Sequence, residues 1–258
     1  MTSSLQQMGQ LARRSVVRTL RQPAQIVPAL VFPLFLLAVN SSGLARATHL
    51  PHFPTRSYLT FALAVPFMQG ALFAAMNAGT DLANDVESGF FNRLALTPLR
   101  GVALLAGMLG GALALGVVQA ITFLLVGLAA GANFAAGPAG ALVILALAIV
   151  MSLGFGSIGA FIALRTGSGE TVQGMFPLFF VTLFLSSMAL PRDLIKTDWF
   201  REIATYNPVS YLLEGIRSLL ITGWDAHALA LGFAVAAGVV VVGLSAATLA
   251  MRNRLVRT

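Results

Sequence analysis

The chain contains no cysteine, and lysine occurs once among its 16 basic residues, at Lys196. Without cysteine there is no disulfide, thiolate metal ligand or thiol nucleophile. A Walker loop, which holds the phosphates of ATP, requires a lysine directly after its glycines, and Lys196 does not follow such a loop. The sequence therefore argues against ATP hydrolysis by this chain, so active transport would need a second chain to supply the energy.

Charge is also scarce, since charged residues make up 10% of the chain and apolar residues 57%. None of the nine acidic residues falls inside an apolar run, whereas ion-coupled carriers place ionisable groups at membrane depth. Ser186 and Ser187 have no histidine or lysine at the same depth to activate them. His49 and His52 could share a helix face, but they lack a nearby carboxylate, which favours solvated loop residues over a metal site. We predict a non-catalytic chain with no metal or cofactor of its own.

The apolar runs dominate what remains. Several approach the length of roughly 20 residues that a helix needs to cross a bilayer. They predict an all-α polytopic membrane protein that forms a single domain over 1–258 and has six transmembrane helices. The predicted spans are 26–44, 57–80, 102–131, 139–164, 171–190 and 226–251.

The net charge of +7 does not indicate nucleic-acid binding here, because the basic residues cluster at the two termini beside predicted spans, where they determine topology. Ten lysine and arginine side chains lie on the side of the two termini and six on the opposite side. By the positive-inside rule, both termini are cytoplasmic. The preference for arginine is typical of a GC-rich bacterial genome, so we expect a bacterial plasma membrane.

Residues 5–21 have the periodicity of a basic amphipathic helix. Arg14, Arg18 and Arg21 occupy one face, and apolar side chains occupy another. Such a helix lies in the headgroup layer with its arginines toward anionic lipid. The alternative is a targeting signal, because an arginine pair precedes an apolar run and 45–47 resembles a small-residue cleavage site.

A polar segment over 81–100 separates the second and third predicted spans and lies on the cytoplasmic side. An apolar stripe recurs in it every four residues, with Asp81 and Asp85 offset from that stripe. We predict an amphipathic helix over 81–96 that is interrupted or bent near Gly89. The members of the stripe are Leu82, Val86, Phe90 and Leu94.

A second informative segment, 192–225, lies on the outer side. It predicts a short helix that begins near Trp199 and a second helix over 209–221, capped by Asn207 and Pro208. The pair is too short to cross a bilayer, so we place 199–221 as re-entrant or interfacial helices. Glu214 and Arg217 can pair with each other at i, i+3, in which case they would only stabilise this hairpin.

Two motifs together resemble those of type-2 ABC transporter permeases, the family that includes daunorubicin-type drug exporters and polysaccharide exporters. The motifs are DVESG at 85–89 followed by NRLALTPL at 92–99, and YNPVSYLLEGIR at 206–217. The likeness covers nearly the whole chain. It departs from the family at Asn92, where a glutamate is common, so no role is assigned to charge there.

The resemblance implies that 81–96 is a coupling helix which docks into a cleft of a separate ATP-binding subunit, where ATP and Mg reside. It also implies that a second copy or a paralogous permease completes a dimer, and that the outer helices cap the translocation route. The residues assigned to docking are Asp81, Asp85, Val86, Glu87, Phe90, Arg93 and Leu94, and those assigned to the outer gate are Asn207, Pro208, Tyr211, Glu214 and Arg217.

These observations favour the permease subunit of an ATP-driven exporter, with a hydrophobic drug-like or lipid-like cargo and a role in multidrug efflux and antibiotic resistance. Two alternatives stay open. One is an ATP-independent channel or carrier, which gives no reason for an ordered amphipathic helix at 81–96. The other is a non-transporting membrane scaffold or sensor. For Asp85, Glu87 and Arg93, the alternative to docking is a solvated helix face without a partner.

Overall fold

The computed structural model describes residues 4–90 and 101–255. These residues form α-helices, short helical turns and loops, and none of them forms a strand. The helices are α1 (Ser4–Leu20), α2 (Pro23–Gly43), α3 (Tyr58–Ala62), α4 (Ala64–Glu87), α5 (Gly101–Met108), α6 (Gly110–Ala129), α7 (Gly137–Thr166), α8 (Gly169–Gly174), α9 (Phe176–Phe184), α10 (Asp198–Tyr206), α11 (Pro208–Arg217) and α12 (Ala226–Leu255).

Five helical stretches within the described residues are long and apolar enough to cross a membrane. This confirms the prediction of an all-α polytopic membrane protein. The five stretches are Pro23–Gly43, Tyr58–Glu87, Leu105–Ala129, Gly137–Thr166 and Ala226–Arg254.

The predicted count of six spans is not confirmed, because the predicted fifth span, 171–190, is divided. Helix α8 ends at Gly174, and α9 begins at Phe176 with Pro177 in its first turn. Proline has no N–H to continue the backbone hydrogen bonds of the preceding helix. Helix α9 then ends at Phe184, and 185–190 forms turns and bends. Neither piece reaches the length of a span.

Helix α4 belongs to the most buried of the five membrane-spanning stretches. It packs most extensively on α7, and both helices carry glycine at the contact. A methyl group added at Gly159 of α7 would lie 1.9 Å from the carbonyl oxygen of Ala75. Because small residues let helix backbones approach this closely, they set the spacing of the bundle.

Helix α2 shows how a proline is accommodated inside a span. Pro33 lies within this helix, and its missing N–H leaves the carbonyl oxygen of Ala29 without the usual partner. Gln119 of α6 supplies the replacement, since its Nε2 atom donates to Ala29 O at 3.0 Å. A neighbouring helix therefore satisfies the interrupted backbone, as a low-dielectric environment requires.

The sequence predicted that a separate helix begins at Asp81, but residues 81–87 do not begin one. They are the last two turns of α4, which runs without a break from the core to Glu87. The predicted interruption lies where expected, because Gly89 has a φ of +70° and ends the helix. The remainder of the predicted helix, 91–96, lies outside the described residues.

Candidate functional site

The end of α4 carries a cluster of charged side chains formed with α1. Asp85 accepts from Arg14 through both carboxylate oxygens, at 3.0 and 2.9 Å, and from Arg18 Nη1 at 2.8 Å. Arg18 also places its Nε atom 3.2 Å from Asp81 Oδ1. We call Arg14, Arg18, Asp81 and Asp85 the α1–α4 clasp.

Helix geometry explains why the clasp forms. The two arginines are four residues apart on α1 and the two aspartates four residues apart on α4, so each pair occupies one helix face. Bidentate contact between guanidinium and carboxylate adds strength and fixes orientation. The Asp85 side chain is only 9% exposed, and a carboxylate this sheltered requires charged partners.

Arg14 extends the clasp toward the chain beyond α4. Its guanidinium carbon lies 3.9 Å from the centre of the Phe90 ring, which is within range of a cation–π interaction. The hydrogen bond with Asp85 raises the pKa of Arg14 above its ordinary value, so this side chain stays charged at physiological pH. Phe90, assigned above to docking, therefore contacts α1 of its own chain.

The other predicted docking residues are divided between surface and interior. Val86 and Leu82 are buried in the core, so the predicted apolar stripe packs inward at these positions. Glu87 is exposed, and its Oε1 atom accepts from the backbone N–H of Gly169 at 3.3 Å, at the start of α8. Arg93 and Leu94 lie outside the described residues.

The sequence suggested that Arg14, Arg18 and Arg21 all face lipid headgroups, but in the structure they lie in different environments. Arg14 and Arg18 contact the aspartates of α4 instead of facing away from the protein. Arg21, which directly follows α1, is exposed, and so is Arg13 of α1. The equal spacing of the arginine and aspartate pairs was the available signal, but the sequence did not show that the two helices meet.

Helix α1 rests on α6 through small polar residues. Ser15 and Thr19 are buried against Gly111, whose N–H donates to Ser15 Oγ at 2.9 Å. Ser15 Oγ in turn donates to Met108 O at 2.9 Å. Leu11 and Ala12 add apolar contacts to this face, whereas Leu20 is 48% exposed.

The outer segment contains a second polar centre, at Arg217. Its side chain is buried and donates to three backbone carbonyl oxygens: Nε to Phe61 O at 3.0 Å, Nη1 to Ser187 O at 2.6 Å and Nη2 to Met188 O at 2.7 Å. The guanidinium carbon also lies 3.6 Å from the centre of the Phe61 ring. Arg217 thus joins α3, α11 and the irregular segment 185–190.

The ion pair proposed between Glu214 and Arg217 does not form. Glu214 pairs with Arg192, which follows the irregular segment. The Arg192 guanidinium also lies over the Tyr211 ring, 4.7 Å from its centre. The Arg217 side chain points toward three backbone carbonyl oxygens instead. These three acceptors satisfy more of the guanidinium N–H donors than the carboxylate of Glu214 would.

Asn207 begins α11 as predicted. Its Oδ1 atom accepts from the N–H of Val209 at 2.9 Å, and Pro208 is the first residue of the helix. The other side of the amide donates to Thr182 O at 2.7 Å and to Leu185 O at 3.0 Å, at the end of α9. One side chain therefore caps two helices.

Two cavities flank the α10–α11 pair. A polar cavity of about 580 Å³ is lined by charged residues of both helices and the adjoining loops, among them Arg192, Arg201 and Glu214. An apolar cleft of about 810 Å³ lies on the other side, where Phe155, Phe179 and their neighbours line it. The outer helices thus separate a polar space from an apolar one.

Known proteins share this sequence pattern. The chain matches the ABC-2 type transporter family over residues 6–221. It is 28% identical over 231 residues to the daunorubicin resistance ABC transporter permease protein DrrB1 of Streptomyces coeruleorubidus, covering 85% of this chain and 77% of the relative. It is 23% identical over 223 residues to the putative transport permease ycf38 of Porphyra purpurea, covering 86% and 76%.

The similarity extends over the charged end of α4 and the outer helices, since both lie within the matched residues. A similar relation holds for the putative transport permease ycf38 of Cyanophora paradoxa, which is 24% identical over 218 residues, covering 83% of this chain and 74% of the relative. The protein is therefore a membrane transport permease, and the chain belongs to the ABC-2 type transporter family.

Proposed function

We propose that the chain is the membrane-spanning subunit of an ATP-driven exporter whose ATP is bound, with Mg, and hydrolysed by a separate subunit. The observation that carries this proposal is the α1–α4 clasp. It ties the end of α4, where the segment assigned to docking begins, to the amphipathic helix α1. A force applied near Phe90 would reach both helices at once through Arg14 and Asp85.

The rigidity of α4 supports the same proposal. Because α4 runs unbroken from the clasp into the closely packed contact with α7, movement at Asp85 cannot be absorbed by a hinge within the helix. Packed helices shift as units. Displacement at the cytoplasmic end would thus be transmitted through the bundle.

We further propose that two permease chains, identical or paralogous, pair in a bacterial plasma membrane with all termini cytoplasmic. Helices α2 and α12 leave broad apolar faces uncovered, including Phe35 and Val242. Lipid and a second permease are the two environments that cover such faces in a bilayer. The cargo would be hydrophobic, drug-like or lipid-like, since the cleft beside α10 is largely apolar.

The proposed function predicts a stable complex with an ATP-binding subunit. Co-expressed with candidate ABC ATP-binding subunits from the same genome, the chain should copurify with one of them. In liposomes, daunorubicin or a fluorescently labelled phosphatidylethanolamine should raise the ATPase rate of the complex at least twofold. The measurement is phosphate release with and without each probe.

Two results would contradict the proposal. If the purified chain moves either probe at the same rate after ATP is depleted, it is an ATP-independent carrier. If it binds the ATPase but no probe changes the rate of hydrolysis or moves across the bilayer, a scaffold or sensor role is favoured.

We also propose that the N-terminal segment binds anionic lipid through Arg13 of α1 and Arg21 directly after it, since Arg14 and Arg18 contact aspartates. Val17 and Leu20 are 36% and 48% exposed, so the same side of α1 offers apolar groups to the headgroup layer. Each basic residue near an anionic surface contributes about 1 kcal/mol.

Changing Arg13 and Arg21 together to glutamine should therefore weaken the dependence of activity on anionic lipid. We expect the phosphatidylglycerol fraction needed for half-maximal ATPase of the complex to rise several-fold. Arg252→Gln, which changes an exposed arginine in the last turn of α12, is the matched control. An unchanged lipid titration in the double variant would contradict this assignment.

A further inference from the structure

The irregular segment 185–190 interrupts a region that the sequence predicts as a span, and its middle is buried. Ser186 and Ser187 are 2% and 0% exposed. Buried backbone groups outside regular structure need other partners, or they cost free energy comparable to a lost hydrogen bond. Here side chains from other elements provide those partners.

Helix α11 supplies most of them from one polar face. Asn207 donates to Leu185 O, Ser210 accepts from the N–H of Ser187 at 3.0 Å, and Arg217 donates to the carbonyls of Ser187 and Met188. The spacing of three and then seven residues places all three side chains on the same side of the helix. Tyr58 adds a fourth contact, from its hydroxyl to Ala189 O at 2.9 Å.

The position of the segment gives these contacts a consequence. At one end Leu185 borders the apolar cleft, and at the other Pro191 borders the polar cavity, which Arg217 also lines. Helix α11 lines both spaces, and the segment runs from a residue of one lining to the residue before Pro191 in the other. A cargo that moved from the apolar cleft to the polar cavity would therefore pass beside the segment and α11.

We propose that Asn207, Ser210 and Arg217 are positioning residues that hold 185–190 closed against α11, and that this segment separates from α11 during export. The proposal rests on the proposed exporter function and names the part of the outer side that moves. Helix α11 is well suited to remain in place, because its other face is buried at Leu212, Leu213 and Ile216.

The absence of native cysteine permits a direct test by thiol labelling. Met188→Cys places one thiol on the segment, and its rate of reaction with a membrane-impermeant maleimide is measured on the full-length chain in sealed vesicles without ATP. Adding Arg217→Gln should accelerate labelling at least tenfold, because it removes donors to the carbonyls of Ser187 and Met188. Arg217→Lys should give an intermediate rate, since lysine keeps the charge but not the planar set of donors.

Two further variants keep the test decisive. Ser210→Ala removes a single buried hydrogen bond with little change in volume, and it should accelerate labelling roughly threefold to tenfold. Lys196→Cys, in an exposed loop, serves as the control, and its labelling should not respond to any of the three changes. Equal labelling of Met188→Cys in the parent and in all three variants would overturn the proposal.

The movement itself is tested in the assembled complex. Labelling of Met188→Cys should be at least threefold faster during ATP turnover than in its absence, while Lys196→Cys stays constant. If turnover leaves the labelling rate unchanged although ATP drives transport, the segment does not move and the proposal fails. Failure of the exporter function is separately visible, because neither copurification nor ATP-driven transport would then be observed.

Discussion

Replacing Asp85 with asparagine is expected to lower the substrate-stimulated ATPase rate of the assembled transporter about tenfold. The change preserves the size of the side chain but removes the carboxylate that Arg14 and Arg18 share. Removing one member of a buried charge pair costs roughly 3–5 kcal/mol. Solvent screening lowers this, because the Arg14 side chain is 41% exposed. A remaining loss of about 1.4 kcal/mol corresponds to a tenfold effect.

Glu170→Gln is the control for this prediction. Glu170 is exposed in the first turn of α8 and is neither a member of the clasp nor one of the residues assigned to docking. We expect its rate to stay within twofold of the parent. Both variants should insert and bind the ATP-binding subunit. If Asp85→Asn hydrolyses ATP at the rate of Glu170→Gln, the clasp does not carry coupling.

The membrane architecture could be predicted because hydropathy and charge are local properties of the sequence. All five stretches that can cross the bilayer begin within three residues of their predicted first residue. Hydropathy alone could not show that the predicted fifth span, 171–190, is divided. It is as apolar as the others, but the proline at 177 and the buried hydrogen bonds of 185–190 divide it. Those bonds come from residues far along the chain.

In the candidate site, too, contacts between neighbouring residues could be predicted from the sequence, and contacts between distant residues could not. Capping by Asn207 was predictable, since the signal lies in two adjacent residues. The partners of Arg217 were not, because they are backbone carbonyls contributed by two other segments. The sequence offered Glu214 as a partner one turn away, whereas Glu214 pairs with Arg192. Side-chain patterns identify which residues carry charge, but tertiary packing determines what they contact.

The close contact of α4 and α7 predicts the largest effect on folding. Gly159→Ala should greatly reduce the amount of folded protein, because the added methyl group would lie 1.9 Å from Ala75 O and 2.7 Å from its carbonyl carbon. These are backbone atoms, so no side chain can rotate to make room and the helices must separate. Overpacking of this kind costs about 1–3 kcal/mol.

Gly238→Ala, in the interior of α12, is the control for this change, since a methyl group there meets no atom within 4 Å. Alanine at an open helical position is neutral or slightly stabilising, because glycine is the poorer helix former. Detergent-solubilised Gly159→Ala should therefore melt about 5 °C below the parent, while Gly238→Ala melts at or above the parent temperature. Equal melting of the two variants would mean that α4 and α7 do not approach as closely as their glycines allow.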